Sequence, residues 1–297
     1  MSDQARIRRR SLLIAATGML AAGCTSVDIS AQRNGGNLLD QLRDRDTVRM
    51  GIANEAPQGF IGPEGQLTGE GPEVGGAVFR RLGVSQVEPV LSDFGSLIPG
   101  LRAGLFDVIA AGMYVTPQRC AQILLSDPSY NAPEALLLRG ADAIRLGSLD
   151  AFIADPSAKL GVLIGGVEQR IAKAKGIPDA RVVAFDTQAS GVDGVLAGRA
   201  DGLMLSTVSL RMALAKRPGA GLQISKPFVP VLDNVPQYGA GAFGFRQDQT
   251  RLRDMFDTEL RKLKRDGEWL RIAGPLGFTE DEYTELTTEE LCSGRPR

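Results

Sequence analysis

The sequence predicts an α/β protein of two lobes built on one plan, and three observations carry the prediction. Apolar runs that read as strands alternate with stretches of helical periodicity, which argues for sheets with short crossovers. An Ala-Gly-x-x-Asp element at Ala103–Asp107 recurs at Ala197–Asp201, each time closing a helix on a glycine and opening a strand at the aspartate. A Gly-rich run, Gly239–Arg246, reads as a strand that brings the chain back to its first half. A chain that leaves one lobe and returns makes two crossing strands, which form a natural hinge with a cleft between the lobes.

The elements follow in order. Arg6, Arg8, Arg9 and Arg10 precede an apolar stretch from Leu12 to Ala22, too short to span a bilayer, so residues 1–23 read as an export signal. The stretch ends LAAGC, similar to a bacterial lipoprotein cleavage box with Cys24 as the acylated residue, although Ala21 stands where leucine is commoner. RRSLL also fits a twin-arginine signal. The expected location is periplasmic or cell-surface, anchored through lipid on Cys24. Residues 24–37, polar and rich in Gly and Asn, form the tether.

Lobe one is expected over 38–140. It holds a short helix near Leu38–Arg45, the strand TVRMGIA ending at NEAP, a helix through GPEVGGAVFRRLG, the strand VEPVLS, and a helix with Phe94, Leu97, Ile98 and Leu101 at helical spacing. Lobe two is expected over 141–237, with AKLGVLIGG as its first strand. The segment 238–297 returns to lobe one and adds C-terminal helices, with Leu252, Met255, Phe256, Leu260 and Leu263 on one face.

Composition removes several classes of function. Lys and Arg number 34 against 35 Asp and Glu, so nothing points to nucleic acid. Cleavage before Cys24 leaves 30 basic and 34 acidic residues, a net charge of −4. There is no histidine, which removes His-dependent triads and His metal sites. With Cys24 assigned to lipid, Cys120 and Cys292 remain as an even pair in an oxidising compartment, read either as a disulfide or as two free thiols. Neither metal nor cofactor is expected.

In YVTPQRC, Thr116 is a good N-cap, Pro117 fits the first helical position, and Arg119 falls in the first turn, where a cation opposes the helix dipole. That misfit singles Arg119 out. A carboxylate there would meet backbone N–H groups and a guanidinium together; the alternative is an arginine turned to a surface acid. Tyr114 and Phe94 offer aromatic faces to a cation, although by composition alone Phe94 is a core residue. Glu55 and Asp201 are candidates for negative charge, and Asp201 alone is equally a cap of its own turn.

GIANEAPQGF, FGSLIPGLRAGLFDVIAAGMYVTPQRC, SDPSY and the tail LGFTEDEYTELTTEELCSG resemble the ectoine/hydroxyectoine-binding proteins of bacterial ABC importers, within the larger polar amino acid-binding family. The resemblance runs from about Thr47 to Gly294. It implies a type II periplasmic binding fold that closes on a small zwitterion and docks, as a monomer, on a membrane permease. It assigns Glu55 to the ligand's amidinium, Phe94 and Tyr114 to an aromatic cage, and Arg119 to the carboxylate. The family's third cage aromatic is Gln58 here, an amide suited to a ligand hydroxyl, with Phe60 two residues on as the aromatic that would compensate. GGVE, Gly165 to Glu168, lacks the hydroxyl and amide side chains expected near the ligand in lobe two. Two other readings share the fold: a polar amino acid-binding protein, and a cyclohexadienyl or arogenate dehydratase with Glu55 as general acid.

Overall fold

Each lobe of the computed structural model, which describes residues 37–294, is organised on one sheet. The export signal, Cys24 and the tether up to residue 36 lie outside the described residues. In lobe one the strands lie in the order Gln86–Leu91, Thr47–Ile52, Val108–Tyr114, Ala240–Phe245, Leu124–Leu125, with Tyr130–Asn131 also paired to Ala240–Phe245. In lobe two the order is Val182–Phe185, Leu160–Leu163, Gly202–Ser206, Glu134–Arg139, Leu222–Ile224. Both sheets place three parallel strands in the chain order second, first, third, followed by one antiparallel strand. Helices cover the faces, so strands such as Val108–Tyr114 are apolar almost throughout rather than alternating.

The core of lobe one gathers on Phe256, whose ring lies 4.7 Å from Phe243, 5.3 Å from Phe245 and 5.5 Å from Phe79. Phe256 sits on the helix Thr250–Arg265, whose Leu252, Leu260 and Leu263 are buried with it and whose Met255 is partly buried against the same core. The chain's return thus supplies both the antiparallel strand and the helix that seals it.

The repeated aspartates do the same work in each lobe. Asp107 donates its N–H to the Arg49 carbonyl, and its carboxylate accepts the Arg49 N–H at 2.9 Å. Asp201 donates its N–H to the Lys159 carbonyl, and its carboxylate accepts the Lys159 N–H at 2.7 Å. Each pins the start of a neighbouring parallel strand and takes an arginine besides: Arg49 at 3.0 Å from Asp107, Arg139 at 3.3 Å from Asp201. Asp201 therefore lies at the end of its strand opposite the cleft. Its candidacy as a ligand group is corrected: it is a structural clasp.

A second correction concerns the boundary. Glu134–Arg139 pairs within the lobe-two sheet, so the chain changes lobes at Ala132–Pro133 rather than after residue 140. AKLGVLIGG supplies the second strand of that lobe. Pro133 has no N–H to continue a ladder and marks the exit. The return crossing runs beside it, with the Ala132 N–H donated to the Gly239 carbonyl at 2.9 Å. A Cβ on Gly239 would stand 1.7 Å from the Ala132 carbonyl oxygen. Gly239→Ala must therefore push the two crossing strands apart, and a loss on the order of 1–3 kcal/mol is expected in urea unfolding. An unchanged midpoint would show that the crossing has slack.

Cys120 and Cys292 are joined with their Cα atoms 5.9 Å apart, tying the single-turn helix Pro117–Cys120 to the last helix, Thr288–Cys292. Among the described residues no helix is long and apolar enough to cross a membrane.

Candidate functional site

The strands Thr47–Ile52 and Val108–Tyr114 of lobe one and Leu160–Leu163 and Gly202–Ser206 of lobe two end at one cleft, the place where open parallel sheets bind ligands. About 370 Å³ of space there, its open side included, is bounded by Glu55, Gln58, Phe94, Tyr114 and Arg119 from lobe one and by Glu168, Leu205 and Ser206 from lobe two.

Arg119 is 8% exposed. Thr116 caps the turn and accepts the Arg119 main-chain N–H, while the side chain bends into the cleft. Its guanidinium donates to the Tyr114 carbonyl at 2.9 Å and, across the cleft, to the Gly165 carbonyl at 3.0 Å, and stands 5.4 Å from the centre of the Phe94 ring. Burial lowers its pKa to about 10, with Glu168 opposing, so it stays charged at neutral pH. The helix is one turn long, and the N–H groups of residues 119 and 120 return to Thr116. Those two main-chain donors are therefore engaged within the turn, and the guanidinium is the group that reaches the cleft. Gly165 makes its carbonyl available through φ of 76°, and a Cβ there would meet the Gly95 Cα at 2.7 Å, so glycine is required where the lobes approach.

Gln58 bridges the lobes. Its amide nitrogen lies 3.0 Å from Ser209 Oγ and 3.5 Å from Ser206 Oγ, and Ser209 Oγ stands 2.9 Å from Glu55 Oε1. Ser209 therefore accepts from Gln58 and donates to Glu55. Gln188 adds a bridge from its side-chain nitrogen to the Ala56 carbonyl at 2.8 Å. Gln58 lines the cleft, and its amide takes part in this lobe-to-lobe hydrogen bonding.

Three buried carboxyls gather at the cleft, and sequence reasoning named one. Burial raises Glu55 to about 7, with the Ser209 hydrogen bond opposing and Glu168 adding to the rise. Glu168 is 6% exposed and is also raised to about 7 by burial, opposed by its own main-chain N–H and by Arg119. Glu134, on the crossing strand and 1% exposed, is pushed well above the carboxylate range by burial and then by Glu168 and Glu55, and its Oε2 has no hydrogen-bond partner among the described residues. Burial likewise holds the Tyr114 phenol neutral. These carboxyls are not disposed to hold a metal ion among the described residues.

Glu168 stands in the first turn of the helix Val167–Ala174, where an acid is ordinary, which hid it. Glu134 opens an otherwise apolar strand, a signal that was present in EALLLR and passed over. Ser206 and Ser209 lie in the cap of the helix Thr207–Ala215 and were invisible for the same reason as Glu168.

Two further candidates lie outside the cleft lining. Phe60 is half-buried in the short strand Phe60–Ile61, with Lys216 Nζ 4.7 Å from its ring centre, so it does not complete the aromatic wall. Thr116 borders a neighbouring hollow with Arg170, Gln237 and Tyr238, and acts on the site only as the cap beneath Arg119.

A family model described as bacterial extracellular solute-binding proteins, family 3, matches residues 48–274. A probable amino-acid ABC transporter periplasmic-binding protein of Sinorhizobium fredii is 30% identical over 278 residues, 92% of this chain and 91% of that protein. The crystal structure of EhuB in complex with hydroxyectoine matches with a TM-score of 0.78 and 33% identity, over 86% of this chain and 97% of that one. The ancestral amino acid-binding protein AncCDT-1, a precursor of cyclohexadienyl dehydratase, matches with a TM-score of 0.71 and 25% identity, over 81% and 99%.

Proposed function

The chain belongs to the bacterial extracellular solute-binding proteins of family 3, with a type II periplasmic binding fold, and on that premise we propose that it captures ectoine, hydroxyectoine or a related small zwitterion for an ABC importer. The observation that carries this reading is Arg119: a buried guanidinium in the cleft that hydrogen-bonds only carbonyls and makes no ion pair among the described residues. A ligand carboxylate supplies the anion it lacks, in charge-assisted hydrogen bonds. Phe94 and Tyr114 wall the same space, and Glu55 stands in it with a carboxyl ready to ionise beside a cation. A polar amino acid meets the same description and is the second reading, favoured by the additional acids Glu134 and Glu168. The family is one of binding proteins, and we propose no catalytic step. In this reading the protein works as a monomer outside the cytoplasmic membrane, held by lipid on Cys24, and delivers its ligand to a permease.

A thermal-shift series over ectoine, hydroxyectoine, L-arginine and L-glutamine tests the proposal. A ligand that binds only the folded state stabilises it by about 4 kcal/mol at a thousand times its Kd. A rise in melting temperature with ectoine or hydroxyectoine is expected. A rise with an amino acid alone moves the assignment to the second reading, and no rise with any of the four overturns it.

A further inference from the structure

Capture of a zwitterion needs one acid for its cation, and Glu55 meets that need; Glu168 is left over. It lines the same cavity from the opposite lobe, is almost fully buried, and forms no ion pair among the described residues. A Cβ on Gly166 would lie 2.2 Å from Glu168 Oε2, so the carboxyl is folded back over the glycine at the cleft wall rather than reaching into solvent. It is near enough to Arg119 and Glu55 for each pair to influence one another's charge. Arg119, Glu55 and Glu168 line this one cavity, so a ligand whose carboxylate sits on Arg119 occupies the space that Glu168 bounds from the opposite lobe.

We propose that Glu168 and Glu55 clamp the ligand's cation from opposite lobes, so that the ligand is a carboxylate whose cationic nitrogen bears N–H, as an amidinium, a guanidinium or a protonated α-amine, and that quaternary betaines are refused. The inference rests on the binding-protein reading above and names its ligand class and a second specificity residue. The physical reason is that a buried carboxylate must be hydrogen-bonded as well as charge-matched, and an N-permethylated cation has no hydrogen to give. A cation with N–H on two sides satisfies both acids, and because they belong to different lobes it also favours closure.

The clamp has a proton signature. The ionisable groups around it are Glu55, Glu134 and Glu168, with Arg119, Arg170 and Tyr114. In the empty site Glu55 and Glu168 each titrate near about 7, so both carry protons part of the time at neutral pH. A bound cation lowers both values, protons leave, and affinity rises as pH goes from about 6 to 8. Burial holds Glu134 well above the usual carboxylate range.

Calorimetry at pH 7 in two buffers of different ionisation enthalpy, with ectoine, L-arginine and glycine betaine as probes, reads affinity and proton release together. Wild type is expected to bind ectoine or L-arginine at least a hundredfold more tightly than glycine betaine and to release protons. Glu168→Gln is expected to lose at least tenfold in affinity for the N–H ligand and to release fewer protons. Glycine betaine bound as tightly as the others overturns the clamp without any variant being made. Glu168→Gln within twofold of wild type, in a protein where Arg119→Ala weakens binding at least tenfold, overturns the clamp and leaves the binding-protein reading standing. Wild type that binds none of the three, and neither hydroxyectoine nor L-glutamine, overturns both.

Discussion

Arg119→Ala should weaken ligand binding by about ten- to a hundredfold, the largest effect expected of any single change in the cleft. Hydrogen bonds to a charged group are worth about 1.5–3 kcal/mol, and in a buried site the ligand's carboxylate would find no replacement donor of equal strength. Arg119→Lys should recover part of the loss, since an ammonium restores the charge without the planar fork. The variant loses its hydrogen bonds to the carbonyls of Tyr114 and Gly165, the second of which joins the lobes, so the open form gains population as well. Calorimetry on both variants, with the fold checked by circular dichroism, separates the outcomes. Unchanged affinity in Arg119→Ala would place the carboxylate elsewhere and remove the central support for a zwitterionic ligand.

Removal of the Cys120–Cys292 bond should cost the most stability. The cross-link spans 172 residues of sequence, and the chain-entropy model gives a ceiling of about 5 kcal/mol for a loop of that size. Leu291 packs with Cys120 and Cys292 in the apolar cluster that also holds Met113 and Ile123, so the reduced protein keeps some hold on its last helix and the measured loss should fall below the ceiling. The Cys120→Ser, Cys292→Ser double variant is expected to unfold at clearly lower urea concentration. Affinity should fall less than stability, because the bond anchors the turn next to Arg119 without touching the ligand space. A urea midpoint equal to that of wild type would show that packing alone fixes the tail.

Much of this fold was legible. Continuous apolar strands, glycines at helix ends and the returning Gly-rich strand determine the two-lobed α/β plan, because each follows from burial or from backbone sterics that act locally. The lobe boundary was not legible, since EALLLR is equally apolar in either sheet and only its partners decide. The site was read unevenly for a related reason. Arg119 announced itself by opposing local preference, whereas Glu168, Ser206 and Ser209 agree with theirs: an acid in a first helical turn and serines at a cap look ordinary until the other lobe is placed against them. Asp201 shows the converse. Its repeat with Asp107 already held the answer, since two aspartates in the same local frame are best explained by the same local task, and that task is main-chain pinning in both lobes.

The returning strand Ala240–Phe245 lies between Val108–Tyr114 and Leu124–Leu125 in the sheet of lobe one. Lobe two, from Glu134 to the return crossing, is one continuous stretch of chain, so no later segment is needed to complete its sheet. Lobe one differs: its sheet lacks an interior member, and its core lacks Phe243, Phe245 and Phe256, until nearly all of the polypeptide has left the ribosome.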